Sequence, residues 1–246
     1  MTVVVGAPAK LTLSLRVLGR RPDGLHTIDA EMVSVDLADE LRIEPADQTE
    51  LQVQGLAARG VVGGRRNLVT QALEAVGRTA MVQLVKKIPT GAGLGGGSSD
   101  AAAVLRWAEC ADLSVALGLG SDVPYCVVGG RARVRGTGES VEPLGFEERQ
   151  FTLLTPPLQV STPLVYGAWD DLGGPTGENG NDLEPAALVA EPGLQMWRDR
   201  LGDATGLVPR LAGSGSTWFV EGAFPDVPAP GATVFVARTV PAGWGD

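Results

Sequence analysis

From Lys10 to Val17 the chain alternates strictly. Leu11, Leu13, Leu15 and Val17 fall on one side, and Lys10, Thr12, Ser14 and Arg16 on the other, which predicts a strand over 11–18 with one buried face. A short apolar run predicts another strand at 2–5, and the Pro-Asp-Gly chemistry of 19–24 predicts a turn. Further strands are expected at 31–37, 40–44 and 50–54, and Asn67 precedes helical spacing at Leu68, Ala72, Leu73 and Val76. A strand at 81–88 runs straight into PTGAGLGGGSSD, behind which 101–111 has helix-forming composition with Ser98, Ser99 and Asp100 as caps. A second glycine patch at 117–130 leads to a strand at 131–135, and FTLLTP at 151–156 opens what reads as a second unit. There 171–181 is loop, 183–190 and 194–201 are helices, 211–222 is a glycine turn and strand, and 232–240 is a closing strand. Strands and helices do not alternate strictly, so the pattern predicts an α+β fold in two units, 1–148 and 149–246.

Composition narrows the function. A net charge of −9 over 246 residues disfavours a nucleic-acid or anionic-membrane surface. Two cysteines, Cys110 and Cys126, and a single histidine give neither a disulfide framework nor a ligand set for a transition metal. With no basic leader and no apolar run of about 18 residues, a cytoplasmic protein is expected. The 34 glycines follow no repeat, and their densest cluster is Gly91, Gly93, Gly95, Gly96 and Gly97.

Such a run costs backbone entropy, and close backbone approach to a ligand is its physical use. A strand, a loop without Cβ atoms and a helix N-terminus together make a phosphate cradle. No lysine follows the glycines, which excludes a Walker A loop. Gly91, Gly93 and Gly96 satisfy GxGxxG, but no second strand ends in an acidic residue about 20 positions on, so dinucleotide binding is the weaker alternative.

PTGAGLGGGSSDAAAVL at 89–105 resembles the phosphate motif of the GHMP small-molecule kinases. APAKLTLSLRVLGRRPDGLH at 7–26 and LGSDVPY at 119–125 are similar to segments of the 4-diphosphocytidyl-2-C-methyl-D-erythritol kinase family within that group. RNLV at 66–69, STPLVY at 161–166, NDLEP at 181–185 and AGSGST at 212–217 follow in the family's order. The resemblance implies an N-terminal ribosomal-protein-S5-like domain and a C-terminal ferredoxin-like domain. It implies transfer of the ATP γ-phosphoryl group to the 2-hydroxyl of the cytidine-diphosphate-linked methylerythritol, in the non-mevalonate route to isoprenoids. It further implies Mg²⁺ on the phosphates, with Ser98 or Ser99 as a hydroxyl contact, and a monomer or homodimer. By the same resemblance Asp122 is the catalytic base and Lys10 its partner. Pro89, Thr90, Gly91, Ala92, Gly93, Leu94, Gly95, Gly96, Gly97, Ser98 and Ser99 hold the ATP phosphates, with Asn67 and Lys86 around the nucleotide. His26 recognises cytosine, Tyr166 stacks on it, and Thr12 lies on the acceptor side.

The chain departs from the family at Thr12, where asparagine is usual, and at Leu25, where tyrosine is usual, and it is short between Trp107 and Gly118. Loss of one aromatic face from a base sandwich bears on the acceptor, so a GHMP kinase for another small alcohol, or a weakly active ATP-binding homologue, are the alternatives.

Overall fold

The stretches expected as separate strands at 2–5 and 11–18 run together as β1 (Val3–Arg20), and those at 31–37 and 40–44 join in β2 (His26–Pro45). Residues 6–9 have little strand propensity, but they pair antiparallel with β2, and pairing overrides propensity. In the computed structural model, which describes residues 1–245, β1 and β2 form the spine of a six-stranded sheet; Asp246, the end of the expected second unit, lies outside the described residues. β3 (Glu50–Gln54), β4 (Ala80–Val85), β5 (Arg131–Gly136) and β6 (Ser140–Pro143) complete it. β1 covers one edge of β2 along its length, while β5 and β4 share the other.

On this sheet pack α1 (Leu68–Ala75), α2 (Gly96–Trp107), α3 (Leu113–Leu119) and α4 (Val123–Val128). Asn67 caps α1 as its position predicts, its side chain accepting from Val69 N at 2.9 Å. The start of α2 differs from expectation. Gly95, at φ 66°, is its N-cap, so Ser98, Ser99 and Asp100 lie inside the helix rather than ahead of it. A left-handed glycine turns the chain into the helix without a side-chain cap. The glycine patch at 117–130 holds α4 and the end of α3.

The second sheet is antiparallel, in the order β10 (Thr233–Arg238), β7 (Gln150–Thr155), β9 (Trp218–Glu221), β8 (Arg210–Leu211). With it go α5 (Thr162–Asp171), α6 (Glu184–Ala190) and α7 (Leu194–Thr205). The pattern does not predict α5, because it buries only Val165 and so carries little apolar periodicity. No described helix is long and apolar enough to cross a membrane.

The two sheets meet along β1. Leu15 N donates to Gly180 O at 2.8 Å and Asp182 N to Leu15 O at 2.9 Å. Asn181 then donates to the carbonyls of Leu211 and Gly213, at 2.9 and 2.7 Å, and so holds the 212–217 turn against the first sheet.

Candidate active site

Between the sheets lies a cleft of about 1070 Å³, at the upper end of the roughly 300–1,000 Å³ of ligand pockets. Residues 89–98 border it, and the loop's shape follows from its glycines. Gly91, Gly93 and Gly95 have φ of 73°, 77° and 66°, values that favour residues without a Cβ. A Cβ on Gly93 would stand 2.4 Å from Ala212 O and 2.6 Å from Gly215 O; one on Gly95 would meet Lys10 Cγ at 2.6 Å. The loop is therefore wedged between β1 and the 212–217 turn, with Lys10 N donating to Leu94 O at 3.0 Å and Thr217 N to Ala92 O at 3.1 Å. The first bond of α2 runs from Ser99 N to Gly95 O, which leaves the N–H groups of Gly96, Gly97 and Ser98 as the open helix end.

Lys10 and Asp122 meet beside that loop. Slips in the β1–β2 register after Pro8 and Thr12 bracket Lys10, and bulges of this kind re-aim side chains near sites. Lys10 Nζ lies 3.3 Å from Asp122 Oδ2 and donates to Thr12 Oγ1 at 3.2 Å. Lys10 is buried, whereas the Asp122 side chain is 32% exposed toward the cleft. Asp122 occupies the N-cap position of α4 but makes no side-chain capping bond, which leaves its carboxylate to Lys10. Tyr125 anchors α4 by donating to Gly130 O at 2.7 Å, and Arg106 ties α2 to α4 and β1 through the carbonyls of Cys126 and Gly6.

Two expected nucleotide residues are engaged by the protein itself. Lys86 Nζ is buried between Asp39 and Asp100, bonded to Asp39 Oδ2 and, at 2.7 Å, to Asp100 Oδ2. Burial favours the neutral amine, but the Asp100 and Asp39 carboxylates outweigh it and hold the ammonium above the usual lysine range. Burial pushes the Asp100 carboxyl up to about 7, only partly offset by Lys86, and its Oδ1 has no hydrogen-bond partner. Asp39 Oδ1 also accepts from Ile88 N at 2.9 Å, so the triad ties the segment leading into the loop to the helix that follows it. Asn67 borders the cleft, with its amide spent on Val69 N and Val62 O. Ser99 departs from the expectation of a phosphate or metal contact: fully buried, it donates its hydroxyl to Pro8 O at 2.7 Å.

The far end of the cleft holds His26 and Tyr166. Their rings stack with centroids 4.7 Å apart, a separation typical of rings in direct contact, so a base does not fit between them. Burial, with Asp122 adding to it, raises the Tyr166 phenol well above its usual value and keeps it neutral. Trp169 meets the His26 ring edge-on at 5.6 Å and donates to Pro175 O, which places it behind the histidine rather than in the place of an aromatic at Leu25. Leu25 is 55% exposed at the cleft wall. Asp170, whose Oδ1 lies 2.8 Å from His26 Nε2, carries no mark in the sequence, and Arg20 and Arg21, which the pattern places in a turn, both border the cleft. Two adjacent arginines in the turn directly before a candidate base-reading histidine are the signal that was available. Among the described residues no three His, Cys, Asp or Glu side chains converge as a metal site.

The profile of the GHMP kinases N terminal domain matches residues 67–130. A 4-diphosphocytidyl-2-C-methyl-D-erythritol kinase of Cereibacter sphaeroides is 36% identical, with 97% of this chain and 95% of the relative covered. One from Ruegeria pomeroyi is 35% identical over 92% of this chain and 90% of its own. The solved structure of a 4-(cytidine 5′-diphospho)-2C-methyl-D-erythritol kinase superposes with a TM-score of 0.76 at 33% identity, covering 97% of this chain and 99% of the other. A homoserine kinase from Cytophaga hutchinsonii shares the fold, at a TM-score of 0.67 and 19% identity.

Proposed function

The chain belongs to the 4-diphosphocytidyl-2-C-methyl-D-erythritol kinase family, and from that premise we propose that it transfers the γ-phosphoryl group of ATP to the 2-hydroxyl of this cytidyl substrate. One observation carries the reading: the Lys10–Asp122 pair and the glycine loop open on the same cleft as His26 and Tyr166. Donor and acceptor then share one chamber, the nucleotide phosphates at the loop and α2, the cytidyl group at the hairpin end.

The chemistry follows from positioning and charge. Asp122 accepts the proton of the acceptor hydroxyl as its oxygen bonds to the γ-phosphorus; the bond from that phosphorus to the bridging oxygen breaks, and ADP leaves. Lys10 stabilises the charge on the attacking oxygen, and the N–H groups of Gly96, Gly97 and Ser98 meet the phosphates. Lys86 serves by fixing the loop and Asn67 by fixing α1 beside the nucleotide, rather than by direct polar contact. Mg²⁺ would be held mainly by the phosphates and water, with the Ser98 hydroxyl at the cleft as the protein oxygen. Bound there, it would neutralise phosphate charge. We assign the S5-like and ferredoxin-like names to the two halves, divided near residue 148, and place the reaction in the non-mevalonate route.

Incubation with Mg-ATP and the cytidyl substrate is expected to yield ADP and the 2-phosphate, read by phosphorus NMR. ADP release only with other small alcohols would overturn the acceptor. Nucleotide binding without turnover on any alcohol would leave an ATP-binding homologue.

A further inference from the structure

We propose that Asp170 is a positioning residue that sets the tautomer of His26, so that the acceptor end of the cleft reads a base bearing an exocyclic amino group. The inference rests on the cytidyl reading above and adds to it how the base is told apart from its relatives. Asp170, near the end of α5, places Oδ1 2.8 Å from His26 Nε2. An ionised carboxylate only accepts, so Nε2 carries the hydrogen. A neutral imidazole has one N–H, and Nδ1 is therefore a bare acceptor. The ring has no room to exchange these roles by turning. Tyr166 stacks on it at 4.7 Å, Trp169 meets it edge-on at 5.6 Å, and its side chain is only 7% exposed. Arg20 holds the second carboxylate oxygen of Asp170 at 3.3 Å, so the carboxylate is itself fixed from the other side.

At the ring position where cytosine carries an amino group, uracil carries a carbonyl oxygen. Nδ1 accepts a hydrogen bond from the first and faces a second lone pair with the other. An unmet polar contact of this kind discriminates between isosteres. Leu25 gives no aromatic grip at this wall, which throws more of the selection onto this polar edge.

His26 is the chain's one histidine, so the imidazole nitrogen NMR spectrum of the whole protein reports it directly. At about pH 8, where an ordinary imidazole is neutral, the wild-type spectrum should show hydrogen on Nε2 and none on Nδ1. With the ATP site saturated by ADP, cytidine diphosphate should bind about tenfold more tightly than uridine diphosphate, the size of one lost hydrogen bond. In Asp170→Asn, whose amide can donate as well as accept, the spectrum should become a mixture of tautomers. The preference should shrink to within about twofold, and KM for the cytidyl substrate should rise while kcat holds. A wild-type spectrum with the hydrogen on Nδ1 overturns the proposal without any variant. So does an Asp170→Asn protein that keeps both the wild-type tautomer and the cytidine preference. If the wild-type protein binds neither diphosphate, the cytidyl reading falls and this inference with it; if it binds cytidine diphosphate and the other results fail, only this inference falls.

Discussion

The two ends of the cleft are built differently. At the phosphate end the groups are held by backbone: glycines packed against carbonyls, two inter-segment N–H bonds, and a buried Asp39–Lys86–Asp100 triad beneath the loop. At the hairpin end the groups are held by side chains, a histidine stacked on a tyrosine and tied to an aspartate that is itself paired with an exposed arginine. Phosphoryl transfer depends on placement, and a misplacement of about 1 Å can cost on the order of 100-fold in rate. Recognition of a base draws on several partly interchangeable contacts. The difference teaches where the chain could drift: Leu25 and Thr12 depart from the family pattern on the acceptor side, whereas Lys10, Asp122 and the loop remain.

The largest effect expected from breaking the phosphate end is on turnover. Asp122→Asn should lower kcat by about 10²–10⁴-fold with ATP affinity within about twofold, by steady-state assay and calorimetry; retained turnover would remove Asp122 from the base role. Next comes Lys86→Met, which strands two buried carboxylates. It should cost about 3–5 kcal/mol of stability, a fall in melting midpoint on the order of 10 °C by calorimetry. An unchanged midpoint would mean the triad does not hold the loop. At the other end, Leu25→Tyr adds a stacking face to an open wall and should strengthen cytidyl binding by about 1 kcal/mol, lowering KM about fivefold at constant kcat. If KM stays put, that wall does not face the base.

The smallest effect sharpens the comparison by pH. Because burial raises the Asp100 carboxyl to about 7 in the folded protein, the folded state holds a proton that the unfolded chain releases near its usual 3.8. Stability from this group is therefore greatest at low pH and is lost as pH rises through about 7. Asp100→Asn removes this dependence, so its melting midpoint should exceed the wild-type value above pH of about 7 and flatten between about pH 5 and 8. Equal slopes for the two proteins would show that Asp100 does not carry the proton.

Much of the phosphate end was legible in the sequence because its chemistry is local. Five glycines between a strand and a helix describe a cradle within a dozen residues, and Asp122 stands out ahead of Val-Pro at a helix start. What it could not disclose is which polar groups are spent inside the protein. Ser99 reads like a phosphate ligand until Pro8, ninety-one positions earlier, takes its hydroxyl, and Lys86 reads like a nucleotide contact until Asp39 and Asp100 enclose it. Asp170 was hidden for the same reason, since 144 residues separate it from His26. The register slips along β1 are properties of pairing with β2, not of either N-terminal segment alone.

The wedge of the loop between Lys10 and the 212–217 turn couples ligand binding to the integrity of the whole chain. Gly93 rests on Ala212 O and Gly215 O, and Ala92 O takes Thr217 N, so the cradle has one wall in each sheet. A fragment ending at residue 148 would keep every glycine of the motif and lose the surface that shapes it. Melting of the second sheet would empty a site whose motif lies wholly in the first. Bound nucleotide, by mass action, stabilises both sheets as a single cooperative unit.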